Sequence, residues 1–453
     1  MFDKTSWARQ AQIIASVLER APSFDKDYRL PPQEFQRRQQ AVWAMLEREG
    51  ADCGIVWSDE HYCGDVPYLA GNDNLIVEPV AAVLGRNGLF FIAGLESGIV
   101  AEQYCHRSGV QIRKVDILRV GRPDYPAGLT TPAQIVEEAC GGTPGKIALL
   151  TAEGVFPLGL YRSLARDFGP EHICDLSERY YEIKYEKSDL EMALIEESCR
   201  ISDVMLEGML RVLRPGLTET QVAQWGYAIA HELGVEEMGF RIMVTAGKNN
   251  RTIVAHASNS VIQEGDVVHI GVAPKRDGLN GAQRASVQCV RDPSQADPVH
   301  RVWMEFLEGA FRFAVDKFQE IARQGLPGCL HEQAMIDYYQ SQVPLLETRT
   351  GLRLPAGFSG LKGYVTTHNS GYTECQELYG AFSPDFRRPA ARQMVMMVDV
   401  GLQGFGKDWS DVQIPGLDYL VLEKTLGKFG TEARVLNRLP LDLQPLVGEG
   451  FEA

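Results

Sequence analysis

Basic residues are scarce in this sequence relative to acidic ones. Of 453 residues, 45 are Lys or Arg and 60 are Asp or Glu, which gives a formal net charge of −15. Because an acidic surface repels nucleic-acid phosphates and anionic membranes, we expect neither as a partner. Long apolar runs are also missing. No stretch approaches the roughly 18 residues of a membrane span, and the opening segment MFDKTSWARQAQIIASVLER lacks the basic and apolar regions of a signal peptide.

Several motifs that define enzyme classes are absent as well. The nine cysteines form no CxxC pair, which argues against a structural zinc site or a disulfide framework and favours a reducing cytoplasm. The sequence contains no Walker loop, no GxGxxG and no GxSxG, and the lack of HExxH excludes a zincin.

Secondary-structure patterns divide the chain into two regions. Strand-like runs alternate with helical segments up to about residue 183, with a hairpin predicted over 80–94, and this alternation indicates an α/β domain. A second region then shows two helices, strands, two more helices and strands. Ser188 and Glu191 predict a capping box at its first helix, and Thr218 predicts the cap of the next. We expect an α+β protein with domains 1–183 and 184–453.

Asp399 is the carboxylate that the sequence marks most clearly. It follows the apolar run MVMMV, so the carboxylate is poorly solvated and requires a partner or a raised pKa. Such a residue is a candidate for a functional site. A buried acid satisfied by backbone amides is the alternative.

The histidines give further candidates. His368 lies in the polar turn TTHNSG and His256 in VAHAS, before a turn and a strand. For both, an exposed or hydrogen-bonded structural role is the alternative. Glu374 follows His368 at a spacing that would place both on one face of a strand. In the first region, His61 beside Tyr62 is a loop candidate.

The order of motifs from residue 187 onward resembles the creatinase/aminopeptidase P superfamily. The matching segments are KSDLEMALIEESCRISD, GLTETQVAQ, IQEGDVVHIGVAP, GLNGAQRAS, HNSGYTE, QMVMMVDVG and GLDYLVL. RRQQAVWAMLEREGADCGIVW and VPYLAGN resemble the smaller N-terminal domain of the same superfamily. The resemblance covers about residues 30–430. It implies a C-terminal pita-bread catalytic domain preceded by an α/β domain.

This resemblance also identifies where the sequence departs from the family. Family peptidases hold two metal ions with two Asp, one His and two Glu. The five corresponding positions are Gly271, Ala282, His368, Asp399 and Leu417, the last beside Asp418. Since two of the five keep a side chain that can bind metal, we expect neither a dinuclear metal centre nor another cofactor.

Creatinase is a member of the superfamily that works without metal. Its catalytic His is matched by His256, and its two substrate-binding Glu are matched by Gln283, which precedes Arg284, and by Asp399. A neutral Gln both donates and accepts hydrogen bonds, so it suits an amide or a lactam. The resemblance thus implies a small nitrogenous substrate without requiring creatine.

The leading hypothesis is a metal-independent cytoplasmic hydrolase that cleaves a C–N bond of amidine, amide or lactam type in a small compound. His256 would transfer the proton, and Asp399 would orient water or a donor. Gln283, Arg284 and His368 would bind the substrate, with Glu374 as a further candidate.

In the family, the N-terminal domain of a partner subunit often caps the site. We therefore expect a homodimer in which His61 and Tyr62 contribute to the site of the other subunit. The alternatives are a metal-dependent Xaa-Pro peptidase or lyase of the same superfamily, and a catalytically silent pita-bread module that binds a partner.

Overall fold

The first helix, α1 (Lys4–Glu19), begins at Asp3, whose carboxylate accepts a hydrogen bond from the backbone amide of Ser6. It belongs to the larger of two units into which this computed structural model divides. That unit, called here the main unit, consists of residues 1–27 and 187–453, and residues 28–186 form the inserted unit. The structure describes residues 3–120, 130–373 and 380–449. Within these ranges, no helix combines the length and apolar character needed to cross a membrane.

A mixed sheet, with six strands among the described residues, organises the inserted unit. Its helices are α2 (Pro32–Glu49), α3 (Asp65–Ala70), α4 (Leu95–Tyr104), α5 (Pro132–Cys140), α6 (Leu158–Phe168) and α7 (Ser177–Tyr185). Its strands are β1 (Cys53–Ser58), β2 (Val80–Gly85), β3 (Gly88–Ala93), β4 (Gln111–Lys114), β5 (Ile147–Leu149) and β6 (Ile173–Asp175). The spatial order is β4-β3-β2-β1-β5-β6, and β2 and β3 form the predicted hairpin.

A buried polar network fixes the last helix of the inserted unit. Lys184 on α7 is fully buried and donates to Asp65 Oδ1 at 2.6 Å. Thr151 donates to the other carboxylate oxygen of Asp65 at 2.6 Å. The hydroxyls of Tyr62 and Tyr181 lie 2.7 Å apart beside this pair. These charges are buried only because each has a partner.

After residue 187, the described part of the main unit adds four α-helices and nine strands. The helices are α8 (Asp189–Val212), α9 (Glu219–Glu232), α10 (Pro298–Gln324) and α11 (Cys329–Thr350). The strands are β7 (Met243–Ala246), β8 (Val267–Val272), β9 (Lys275–Arg276), β10 (Leu279–Asn280), β11 (Gln283–Gln288), β12 (Thr367–Asn369), β13 (Gln393–Gln403), β14 (Tyr419–Phe429) and β15 (Glu432–Val435). The helix caps follow the prediction: Ser188 and Glu191 form a capping box on α8, and Thr218 caps α9.

An antiparallel sheet with the order β12-β13-β14-β11-β8-β7 organises the main unit, and β15 is added beside β14. One face of this sheet is covered by helices. Val268 and Ile270 of β8 pack in one cluster with α8 and α9, and Val398 and Val400 of β13 pack in another with α10. Because side chains alternate along a strand, the residues between these positions point to the opposite face. That face carries the candidate site.

The first 27 residues require a correction to the domain division expected from the sequence. Ile13, Ile14 and Val17 of α1 are buried in the cluster formed by α8 and α9. Trp225 Nε1 on α9 donates to Gln10 Oε1 at 2.8 Å. Their position in the sequence, before residue 183, predicts that these residues belong to the N-terminal domain. Their apolar stripe is instead buried in the main unit.

Candidate active site

Three charged residues lie side by side on three neighbouring strands. In the sheet register, Glu423 on β14 is opposite Arg284 on β11 and also opposite Asp399 on β13. Arg284 is in turn opposite Gly271 on β8. Directly opposed residues in an antiparallel pair have Cβ atoms about 5 Å apart, so their side chains meet.

The Arg284 guanidinium joins the two carboxylates. Its Nε donates to Glu423 Oε2 and its Nη2 donates to Asp399 Oδ2. His368 on β12 adds a fourth group, with Nε2 2.8 Å from Glu423 Oε1 and Nδ1 3.0 Å from the carbonyl oxygen of Asn369. The His368 side chain is 13% exposed, whereas the other three are at most 5% exposed. His368 therefore lies toward the opening of the cluster.

Burial and neighbouring charges give the two carboxylates different pKa values. Burial, assisted by the negative charge of Glu423 and opposed by Arg284, raises the pKa of Asp399 to about 6. Burial also acts on Glu423, but Arg284 and His368 outweigh it and lower the pKa of Glu423 to about 2. Burial opposes the charge on Arg284, yet the two carboxylates raise its pKa well above the usual value. Glu423 is thus a permanent counter-ion, and Asp399 can exchange a proton near neutral pH.

Several buried polar atoms in this cluster have no hydrogen-bond partner among the described residues. They include Arg284 Nη1, which is a donor, and Asp399 Oδ1, which is an acceptor. The hydroxyl of Tyr419 and both ring nitrogens of His269 also have no hydrogen-bond partner among the described residues. The rings of Tyr419 and His269 pack edge to face, with their centroids 5.7 Å apart. Since unpaired buried polar groups are costly, these atoms require water or another molecule as a hydrogen-bond partner.

A buried ion pair positions the segment that precedes β12. Lys362 Nζ lies 2.7 Å from Glu332 Oε1 of α11, and Glu332 Oε2 accepts a hydrogen bond from the Thr366 amide at 2.9 Å. The Thr366 carbonyl then accepts from the Asp399 amide at 2.8 Å. The backbone around Asp399 is therefore held by α11 as well as by the sheet.

A dinuclear metal centre does not fit the residues present. Ligand atoms of His368, Asp399 and Glu423 all lie within 4.8 Å of one another, but the Arg284 guanidinium is bound to both of these carboxylates. A Cβ on Gly271 would stand 3.0 Å from Arg284 Cγ, so the stem of Arg284 fills the space of any side chain there. Ala282 lies in a small apolar cluster with Ala273 and Met397. Two of the five family positions are thus closed to a metal ligand.

The structure corrects two site positions inferred from the sequence. Gln283 lies on the opposite side of β11 from Arg284, and its Nε2 donates to Ser202 and to Asp203 Oδ1 of α8. It therefore faces the helices and not the site. The last carboxylate was expected near Leu417 or Asp418, but Asp418 binds Arg251 Nε at 2.5 Å. Glu423, five residues after Asp418, occupies the site instead.

The remaining candidates are a loop histidine of the main unit, two residues of the inserted unit and one residue outside the described ranges. His256 is exposed on a loop, where its Nδ1 lies 3.2 Å from the carbonyl oxygen of Ala257. Tyr62 is 4% exposed and is hydrogen bonded to Tyr181 within the inserted unit, so its side chain is buried. His61 is exposed next to it. Glu374 falls outside the described residues. The structure thus brings together His368, Asp399 and Arg284 of the predicted residues, and it adds Glu423.

Comparison with known proteins gives the same fold. The model of a family described as metallopeptidase family M24 matches residues 193–421, about half of the chain. The uncharacterized peptidase YqhT of Bacillus subtilis is 23% identical over 196 residues, which are 43% of this chain and 53% of that protein, so the chain matches about half the length of this curated relative.

Solved structures extend the likeness to nearly the whole chain. Dipeptidase PepE from Mycobacterium ulcerans superposes with a TM-score of 0.70 at 19% identity and covers 92% of this chain and 99% of its own. An X-Pro aminopeptidase from Thermotoga maritima superposes with a TM-score of 0.69 at 17% identity and covers 89% of this chain and 98% of its own. These likenesses confirm the predicted α+β class, with a pita-bread domain preceded by a smaller N-terminal domain.

Proposed function

The chain belongs to metallopeptidase family M24, and from this premise we propose that it hydrolyses an amide C–N bond in a small peptide or peptide-like compound. The observation that carries the proposal is the buried cluster of Arg284, Asp399, Glu423 and His368, with one donor and one acceptor left free. An amide offers the matching pair, a carbonyl oxygen and an N–H. The names of the structural relatives, a dipeptidase and an X-Pro aminopeptidase, favour a peptide over the amidine or lactam considered from the sequence.

The two free atoms suit the two needs of amide hydrolysis. Arg284 Nη1 would donate to the carbonyl oxygen and stabilise the negative charge that develops there when water adds to the carbon. Asp399 Oδ1 would accept the proton of that water, which its pKa of about 6 permits near neutral pH. The same proton then passes to the nitrogen that leaves, so the C–N bond breaks and the products are an acid and an amine.

Glu423 and His368 have supporting roles in this proposal. Glu423 keeps Arg284 charged and in place, and it also holds His368 through the 2.8 Å contact. His368, as the most exposed of the four, would meet the part of the substrate nearest the opening. The proton-transfer role predicted for His256 stays a prediction, as does the homodimer.

The test is a substrate screen on chelator-treated protein. Dipeptides with and without a C-terminal proline, N-acyl amides, amidines and lactams are incubated with the chain, and products are identified by mass spectrometry. We expect cleavage of at least one amide and a loss of about 10²-fold or more in Asp399→Asn, the size typical of a lost general base. Asp418→Asn is the matched control, since Asp418 binds Arg251 outside the cluster. Turnover that survives Asp399→Asn, or no cleavage of any amide, would refute the proposal.

A second candidate is a metal-dependent peptidase that uses a single ion. It is favoured by the ligand atoms of His368, Asp399 and Glu423, which lie within 4.8 Å of one another. These three residues would hold the ion after Arg284 had moved away. In the same screen, activity that disappears with chelator and returns with Mn²⁺, Zn²⁺ or Co²⁺ would select this candidate.

A further inference from the structure

The carboxylate oxygens of the cluster are nearly all occupied by groups of the protein. Of the four oxygens on Asp399 and Glu423, two accept from Arg284 and one is 2.8 Å from His368 Nε2. Only Asp399 Oδ1 has no partner among the described residues. A divalent cation requires several anionic oxygens at once, because they must offset its charge and its lost hydration. The guanidinium of Arg284 already binds two of these four oxygens.

The space around Arg284 is matched to its side chain. A Cβ at position 271 would stand 3.0 Å from Arg284 Cγ and 3.2 Å from its Cδ, and both are closer than ordinary packing. Glycine at 271 is therefore what allows Arg284 to lie across the sheet toward Asp399 and Glu423. The ring of Tyr364 lies 5.9 Å from the guanidinium carbon and adds a cation–π contact. Position 271 and Arg284 thus fit each other as a pair.

We propose that Arg284 is the resident cation of this site, that it takes the place of the divalent metal, and that it keeps such ions out. The three ligand-type groups His368, Asp399 and Glu423 are then a metal site that one side chain closes. The proposal deepens the function proposed above and rests on it only for the role of the free Nη1. Together, Arg284 Nη1 and Asp399 Oδ1 select a neutral group that has an oxygen acceptor and an N–H donor, such as a peptide amide.

Exclusion follows from the electrostatics of burial. A cation entering between Asp399 and Glu423 would have to displace the guanidinium, which is only 5% exposed, or lie next to it as a like charge. The first outcome leaves a buried guanidinium without its counter-ions, and the second places two positive charges side by side in a buried site, so both are unfavourable. Removing the guanidinium leaves two buried carboxylates close together, and a divalent cation relieves their repulsion.

The experiment is a metal titration of purified, chelator-stripped full-length chain. Co²⁺ is the probe, followed by its visible absorption and by calorimetry, with elemental analysis for stoichiometry. We expect no ion at the cluster in the unmodified chain. Arg284→Met should take up one Co²⁺ per chain, at Co²⁺ concentrations at least about tenfold below the highest at which the unmodified chain shows no binding. Adding His368→Ala to Arg284→Met should abolish this site.

Arg251→Met is the matched control. It removes an arginine that also pairs with a carboxylate, Asp418, at 2.5 Å, and it should leave Co²⁺ binding unchanged. If the chain with Arg284→Met does not fold, as judged by circular dichroism, Arg284→Gln replaces it, because that side chain is neutral and polar.

Two results would overturn the proposal. One is a Co²⁺ ion bound by the unmodified chain and lost on His368→Ala. The other is a folded Arg284 variant that binds no more Co²⁺ than the unmodified chain. Because neither readout involves turnover, this inference and the proposed hydrolase function fail or stand separately.

Discussion

Neutralising one or the other of the two carboxylates bound to Arg284 should have different effects on the stability of the fold. Glu423→Gln and Asp399→Asn each remove one negative charge and keep the shape of the side chain. Both residues are buried and both contact the same guanidinium. A count of ion pairs would therefore predict similar losses of stability. Their pKa values predict otherwise.

The magnitudes follow from the pKa of each group in the folded and unfolded chain. Glu423 has a pKa of about 2 against its usual 4.5, and each pH unit corresponds to about 1.4 kcal/mol. Its charge therefore stabilises the fold by about 3 kcal/mol at pH 7, and this contribution is lost as the pH falls from 4.5 through about 2. Asp399 has a pKa of about 6 against its usual 3.8, so the folded chain prefers its neutral form. The stability from this group is present below pH 3.8 and is lost as the pH rises through about 6.

At pH 7 the two substitutions should consequently separate. Glu423→Gln should lower the free energy of unfolding by about 3 kcal/mol. Asp399→Asn should leave it unchanged or raise it, because the charge that it removes is unfavourable in the fold. Urea unfolding at pH 7, followed by circular dichroism, measures both. The control is Glu432→Gln, which removes an exposed carboxylate 3.6 Å from Arg323 and should cost less than about 0.5 kcal/mol.

Equal losses for the two substitutions would refute this reasoning, since they would mean that Asp399 and Glu423 are equivalent counter-ions. A larger loss for Asp399→Asn would refute it more strongly. A difference between the unmodified chain and Glu423→Gln that persists unchanged down to pH 2 would contradict the lowered pKa of Glu423.

Two further predictions concern the pH dependence of activity and the inserted unit. With Asp399 as proton acceptor, kcat/KM should rise with pH through about 6, the pKa to which burial raises that group. Asp399→Asn should remove this rise in the pH profile. If the rise is unchanged in that variant, another group causes it. Lys184→Met leaves the buried Asp65 without its 2.6 Å partner and should cost about 3–5 kcal/mol in urea unfolding. Lys317→Met removes an ion pair at the surface and serves as the comparison. If both variants lose a similar free energy of unfolding, burial is not what makes the Lys184–Asp65 pair costly to break.

Much of the fold could be predicted because its signals are local. The caps at Ser188 and Thr218 and the hairpin over 80–94 each depend on a few consecutive residues. The collinear family motifs added the order of the elements. In contrast, the position of α1 could not be predicted, because its apolar stripe shows that it packs against something but not against which helices.

The site was predicted only in part because it depends on strand register. Asp399 was found through a carboxylate next to an apolar run, and Glu423 has the same signal in LVLEKTL. The sequence alone does not identify it as the last carboxylate, because the motif GLDYLVL offers Asp418 for that role. Gln283 and Arg284 were both placed at the site, although neighbours on a strand point to opposite faces. Which of them faces the site is decided by the pairing of β11 with β14, whose partners are far apart in the sequence.

The position of α1 has a consequence for the order in which the chain can fold during synthesis. The inserted unit is one continuous stretch, 28–186, so it can be completed while the rest is still being made. The hydrogen bond between Gln10 and Trp225 spans 215 residues, so α1 must wait for helices that leave the ribosome much later. Substitutions that weaken α1 or tags that crowd it would therefore act on the unit that contains the site, although they lie at the opposite end of the sequence.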